Sequence, residues 1–543
     1  MTVRAIALAA VSALSPFSVH ATTDAQLAAV LEKRLAGDRS GACVAAAVVD
    51  GDNDVARAFV CAAGGTPRIG ADSAFEIGSI TKTMTGTLLA QFILAGKVSL
   101  DTPFAELLPK DAKLPAFDGK AILVRHVVTH TSGLPSLPPG FAPKDLSDPY
   151  ASLDERTLVA SLARVTLARA PGTAFEYSNY ATMLLSVALA RLADTDYETL
   201  LRERVFAPLS MSHAYVAKRP DGVSAAAGHM SNGRATPPWT LPGNLAGVGG
   251  VRATLDDMIA YVQAQLGLRD STIADAIALT HVEVKTAAQP AMGIHWIRVP
   301  VAGRTVLMHD GGTGGFASFA GVDPERRRGV VVLADAAIDG VTELGLHLID
   351  EKATPLGQPR KVAKPDAALV DALVGDYTMA GMKVALTKRD GALVVQAQGQ
   401  PAFVLGYDSA GDFYTTDFDA RLTPVRRADG GYGFAWHQLG GTQIAQRAGA
   451  AAAKPAVTLT REQLADYAGE YPLVAGFALT VFEKHGKLWV QGTGQPALDV
   501  VAAGDDVFVA DAVGAQLRFE RRDGKVVAVT LDQNGQKLRG ERR

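Results

Sequence analysis

Only two of the 543 residues are cysteine, which excludes a disulfide-built scaffold and a four-cysteine zinc site. Neither sign of charge dominates: Lys+Arg 53 against Asp+Glu 56 gives a net charge of −3, so no global basic field awaits nucleic acid. Gly 54 and Pro 27 fall in no collagen period. No segment reaches 18 consecutive apolar residues, so no membrane insertion is expected. There is no Gly-x-Ser-x-Gly elbow, no phosphate loop and no dinucleotide fingerprint. These absences count against an ordinary α/β-hydrolase and against nucleotide enzymes, and no cofactor is expected. What remains is ordinary globular composition, 48% hydrophobic and 20% charged, on a chain long enough for about three or four domains.

Residues 1–21 read as a secretory signal. Arg4 gives a positive start, Ala5 to Leu14 is a short apolar run, and Val19-His20-Ala21 offers small residues for cleavage. The mature chain is therefore expected in the periplasm or outside the cell. Cys43 and Cys61 lie on two β-prone runs around a turn at Gly51-Asp52-Asn53. If Asp50 opposes Asp54, the same register sets Cys43 against Cys61. Such a pair bridges in an oxidising compartment or packs as two small hydrophobes, and the sequence leaves both open.

Composition changes near residue 352. A linker at 352–365 and an alanine-rich one at 448–455 divide the chain into a first domain, 22–351, and two further segments, 366–447 and 456–543. Those segments repeat each other. Gly375-Asp376-Tyr377 returns as Gly469-Glu470-Tyr471, 94 residues later, and Gly399-Gln400-Pro401-Ala402 returns as Gly494-Gln495-Pro496-Ala497, 95 later. Short alternating runs such as 383–387 and 488–491, cut by Asp390-Gly391, Asp429-Gly430 and Asp523-Gly524, predict two small antiparallel β-barrels in tandem. In the first domain, helical patterns at 79–95, 153–167, 180–192 and 255–266 separate strand-like runs near both ends. That order predicts an α+β fold: an antiparallel sheet built from the termini and flanked by helices, plus a helical subdomain.

Three weak motifs could carry chemistry. Ser79-Ile80-Thr81-Lys82 places a hydroxyl and an amine three apart, on one helix face. A serine needs a base to become a nucleophile, and a lysine serves when burial keeps it neutral. Alone, the pair equally describes an N-cap with a surface lysine. Tyr177-Ser178-Asn179 offers a phenol for proton relay and an amide to hold a carbonyl, or simply a cap before a helix. His309-Asp310-Gly311-Gly312 closes a strand, where the N–H of Gly312 could pair with that of Ser79 as an oxyanion hole. His126 and His130 stand four apart like a zinc pair. Val127 replaces the glutamate that motif needs, and Thr131-Ser132-Gly133 breaks the helix, so no metal is expected.

Taken in order, SxxK, YxN and HxG resemble the penicillin-recognising serine hydrolases: class C β-lactamases, DD-peptidases, D-aminopeptidases and esterases. Their context is more specific than the motifs. It includes Phe75 to Thr83, Gly96-Lys97-Val98-Ser99-Leu100-Asp101, Val128-Thr129-His130-Thr131-Ser132-Gly133-Leu134-Pro135 and Gly249 to Thr254, over roughly residues 25–350. The resemblance implies an acyl-enzyme mechanism with Ser79 as nucleophile, Lys82 and Tyr177 moving protons and Asn179 holding the substrate amide. His309 would border the cleft, with Ser79 and Gly312 as the oxyanion hole. β-Lactamases of the group carry Lys where His309 stands, which turns the expectation toward short peptides, some with D-residues. Esterase or weak β-lactamase action is the alternative, and a non-catalytic binder of peptidoglycan fragments is the reading from another class. An imidazole titrating near 6.5 would also favour carboxylate-bearing substrates at lower pH. A hydrolase followed by two lipocalin-like barrels resembles D-aminopeptidase, in which a last-barrel loop reaches the active site; residues 471–478 are the candidate here. An oligomer is left open.

Overall fold

The computed structural model describes residues 21–543 apart from 39, 52, 63–67, 380–381, 399–401, 416–419, 428–430, 439–440, 448–458, 475–476, 485, 494–496, 505, 511–514 and 534–535. The expected signal segment up to residue 20 and the alanine-rich linker therefore lie outside the described residues. So do the Gly-Gln-Pro triplets of both repeats and Asp429-Gly430.

The sequence's first hairpin forms as expected. Cys43–Val49 pairs antiparallel with Val55–Cys61, Cys43 faces Cys61, and the two sulfurs are bonded. Cys43–Val49 then pairs with Arg328–Ala334 from the other end of the domain. The sheet continues through Ala317–Asp323 and Arg304–Gly312 to Ile297–Val301, six strands with every neighbour antiparallel. Both faces are covered, so Cys43–Val49 is buried along its whole length and reads as a continuous apolar run. One face packs on the terminal helices Asp24–Leu35 and Val341–Ile349. The other packs on the helical part, through Thr81–Leu94, Asn179–Ala193 and Leu255–Gln265.

The helix Thr81–Leu94 differs from its sequence expectation in one respect. Its pattern predicts one apolar side, with Ile80, Met84, Leu88 and Leu89. In the structure every residue from Thr81 to Ala90 is buried. A helix enclosed on all sides must satisfy its polar side chains internally. The hydroxyl of Thr83 lies 2.7 Å from that of Tyr261, and the hydroxyl of Thr85 lies 2.6 Å from that of Tyr197.

The two repeats are eight-stranded. Strands from Gly375–Met379 to Gly441–Arg447 form a closed barrel, and those from Gly469–Val474 to Gln536–Glu541 an eight-stranded sheet in sequence order. The second curls until its ends approach: the backbone N–H of Arg543 donates to Glu470 O at 2.9 Å. The 94-residue repeat extends to side chains. Tyr377 is buried and its hydroxyl donates to Leu373 O at 2.7 Å; Tyr471 is buried and donates to Tyr467 O at 2.8 Å. Tyr377 ties its barrel's first strand to the end of the helix Ala367–Leu373, and Tyr471 ties its own to Tyr467, two residues past the helix Arg461–Ala465.

Candidate active site

Ser79 lies where a strand gives way to a helix. The strand Ser73–Glu76 ends, Gly78 turns the backbone at φ +50°, and one tight turn, Gly78–Ile80, leads into Thr81–Leu94. One turn later Lys82 projects along the same face. Its Nζ stands 2.8 Å from Ser79 Oγ and 2.7 Å from the Val248 carbonyl oxygen, which accepts an N–H. The side chain is fully buried. Burial pushes the ammonium well below the usual lysine range, and the negative charge of Asp310 offsets this only in part.

Tyr177 comes from the loop before the helix Asn179–Ala193, whose N-cap Ser178 accepts the N–H of Ala181. Its phenol faces Ser79, and its ring centroid lies 4.9 Å from Lys82 Nζ. Part of the ring edges the cleft, yet the enclosing protein raises the phenol well above its ordinary value, so it keeps its proton at neutral pH. Asn179 begins the helix. Its side chain faces the Tyr150 phenol, and its buried Oδ1 has no hydrogen-bond partner among the described residues.

His309 sits on the strand Arg304–Gly312, buried, with its ring centroid 6.3 Å from that of Tyr177. Its Nδ1 lies 2.6 Å from Asp310 O, so Nδ1 carries the hydrogen and donates, and Nε2 is left bare. Burial pushes this imidazole down to about 4, with Lys82 adding to the effect against the pull of Asp310. This corrects the expectation of a histidine charging near 6.5: His309 is neutral from pH 5 to 8, and a desolvated ring is the reason. Gly312 closes the same strand against the nucleophile turn. A Cβ on Gly78 would fall 2.7 Å from Gly312 N, so the two backbones touch, while a Cβ on Gly312 would meet nothing within 4 Å.

The structure thus brings Ser79, Lys82, Tyr177, Asn179, His309 and Gly312 to one place. Two histidines join them that sequence reading missed. His130 stacks on Tyr177 with ring centroids 4.3 Å apart, and its Nδ1 accepts the N–H of Ser178 at 3.2 Å. His295 is buried 5.4 Å behind it and has no partner at either nitrogen among the described residues. In the sequence His130 stands within the family-like stretch Val128 to Pro135 and four residues from His126, and neither placement assigns it to the site. His295, between Ile294 and Trp296, carries no local signal. His126 is elsewhere, with its Nδ1 accepting the Leu123 N–H at 3.1 Å to cap a short helix. Among the described residues no three metal-ligating side chains converge.

The cavity over Ser79 has a volume of about 640 Å³. Asp310 is the only charged side chain among its described lining residues. Its far end is formed by the first barrel, including Val384, Val395 and Trp436. The second barrel, expected to reach the site through 471–478, contributes no described residue. Those positions belong to the hairpin of Gly469–Val474 and Phe477–Lys484, with 475–476 outside the described residues.

A family model described as Beta-lactamase matches residues 27–350, and a domain of unknown function matches 453–542. The D-alanyl-D-alanine-carboxypeptidase/endopeptidase AmpH of Escherichia coli K12 is 30% identical over 376 residues, covering 63% of this chain and 96% of that protein. A beta-lactamase of the same organism is 26% identical over 296 residues, covering 48% of this chain and 75% of its own. Two solved structures share the fold. The beta-lactamase/D-alanine carboxypeptidase of Yersinia pestis has TM-score 0.51 at 24% identity, covering 60% of this chain and 100% of its own. The octameric penicillin-binding protein homologue of Pyrococcus abyssi has TM-score 0.51 at 17% identity, covering 95% of this chain and 99% of its own.

Proposed function

Because this chain belongs to the beta-lactamase family of serine hydrolases, we propose that it is an exported acyl-enzyme hydrolase of short peptides, with Ser79 as nucleophile and Lys82 as its base. One observation carries the reading: a fully buried amine, its proton affinity lowered, 2.8 Å from the Ser79 hydroxyl. A neutral Lys82 gives one N–H to Val248 O and keeps its lone pair for the serine proton. Tyr177 is the weaker candidate for base, since its phenol holds its proton tightly.

In the proposed reaction Ser79 Oγ bonds to the substrate carbonyl carbon as its proton passes to Lys82. The N–H groups of Ser79 and Gly312 meet the oxyanion. The leaving amine or alcohol takes the Tyr177 proton, which Lys82 replaces, and the C–N or C–O bond breaks. Water, deprotonated by the same pair, then releases the acyl group and restores Ser79. Asn179 Oδ1, without a protein partner among the described residues, accepts an N–H of the peptide substrate. His309, neutral and beside Tyr177, borders the cleft and keeps the relay free of a second cation.

With Asp310 as the only charged side chain among its described lining residues, the cleft favours substrates without a carboxylate beside the scissile bond. That places short peptides, D-residue-containing ones included, first and simple esters second, ahead of β-lactams. Export is supported by the Cys43–Cys61 bond, which persists in oxidising compartments. No helix among the described residues is long and apolar enough to cross a membrane. A fluorophosphonate read by intact mass tests the nucleophile: wild type gains one adduct and Ser79→Ala none. Turnover of a D-alanyl anilide, a p-nitrophenyl butyrate ester and a chromogenic cephalosporin on one preparation tests the ranking. A dominant cephalosporin rate overturns it.

A further inference from the structure

The cavity over Ser79 does not end within the hydrolase domain. Along Arg304–Gly312 side chains alternate between the two faces of the sheet. His309 points with the nucleophile side. Asp310 points the other way, where the Thr342 hydroxyl donates to it at 2.8 Å. Both Ser79 and Asp310 line the same cavity, so it bends round the glycine turn that follows Asp310. Beyond the bend its walls are Ile297, Ile338 and Val341, and then the inside of the first barrel.

The barrel end is built from paired neighbours. Val384 faces Ala397 across one strand pair and Val395 faces Phe403 across the next, and Met379 and Trp436 complete the ring. All six side chains are apolar or aromatic. Deeper in, Leu386, Leu393, Leu422 and Phe434 fill the barrel core. The result is an apolar pocket continuous with the nucleophile cleft. No described charged side chain lines it past Asp310. Burying an ion there would be costly, whereas each methylene leaving water for such a lining gains binding free energy.

Resting on Ser79 as the nucleophile, we propose that the first barrel is the far half of the substrate site and receives an unbranched, uncharged aliphatic chain of the substrate. The pocket selects for chain length, and the hydrolase domain alone forms an incomplete site. The chain belongs either to the acyl group that Ser79 takes up or to the leaving group, and the same chemistry recognises both.

Two ester series separate these sources, each used below its micelle concentration. p-Nitrophenyl esters from acetate to octanoate lengthen the acyl side. n-Alkyl acetates from ethyl to octyl, followed by proton release, lengthen the leaving side. On one side kcat/KM is expected to rise by about two- to fourfold per methylene until the pocket is full. Ala397→Phe narrows the pocket entrance and is expected to lower the octanoate-to-acetate ratio, or its alkyl counterpart, at least about fivefold. Phe403→Ala widens it and moves the optimum to longer chains, so the test survives if the first variant fails to fold by circular dichroism. No length dependence on either side, or the same dependence in wild type and both variants, overturns the proposal. Fluorophosphonate labelling of wild type but not Ser79→Ala, with a flat length series, sinks the barrel site and leaves the nucleophile standing. An unlabelled wild type removes both.

Discussion

Lys82 shows what a catalytic residue costs the fold. The amine is fully enclosed, and its hydrogen-bond partners among the described residues are the Val248 carbonyl and the Ser79 hydroxyl. A charge in that position is disfavoured, so its proton affinity falls, and the same desolvation penalises the folded state. Lys82→Met keeps the length and removes the polar head. Turnover is expected to drop by about a thousandfold or more while the melting temperature holds or rises. Steady-state kinetics and a thermal melt on the same sample check this. The buried imidazoles make a second residue-level prediction. His126, His281 and His309 are each pushed from 6.5 down to about 4, chiefly by burial. Between those values the unfolded chain binds protons that the folded chain refuses, so stability is complete above about pH 6.5 and is lost as pH falls toward 4. Urea midpoints at pH 7.5, 6 and 5 should decline in that order. The ratio of carboxylate-bearing to neutral ester turnover should stay flat from pH 5 to 8, because His309 does not charge there.

At the scale of elements, the site is a contact between a turn and a strand end. Gly78 adopts φ +50°, and a Cβ there would press on Gly312 N at 2.7 Å and Gly312 O at 3.0 Å. A side chain is therefore disfavoured twice, by the left-handed backbone and by the facing strand. Gly78→Ala is expected to push the two backbones apart and to lower kcat by about a hundredfold, the size of losing one oxyanion donor. Stopped-flow acylation with a p-nitrophenyl ester reads this step directly. The nucleophile helix shows how far periodicity reaches. The pattern located Thr81–Leu94 to within two residues at its start, but it could not tell that the polar side of the helix is buried too. The hydroxyls that satisfy Thr83 and Thr85 come from Tyr261 and Tyr197, more than 100 residues away in each case.

In the whole molecule the two barrels are alike in sequence and unlike in position. Both carry a buried tyrosine whose hydroxyl donates to a carbonyl four residues back, yet only the first contributes described residues to the cavity over Ser79. Removing the second barrel by a stop codon after Arg447 is therefore expected to leave fluorophosphonate labelling and ester chain-length preference unchanged, within about threefold. Intact-mass labelling kinetics on the truncated chain measure it. A loss of labelling would mean the second barrel supports the site after all.

The sequence by itself determined the local matters. Lys82 follows Ser79 by one helical turn because three residues separate them, Cys43 meets Cys61 because a tight turn fixes a hairpin's register, and the 94-residue repeat announces two β-units. Each depends on spacing along the chain, which is visible in the letters. Tertiary structure alone decided that His309 is too deeply buried to charge near neutrality, that His130 backs Tyr177, and that the first barrel, rather than any described residue of the second, lines the far end of the cleft. Those outcomes depend on which surfaces meet and how completely they exclude water, and residues far apart in the chain settle that together.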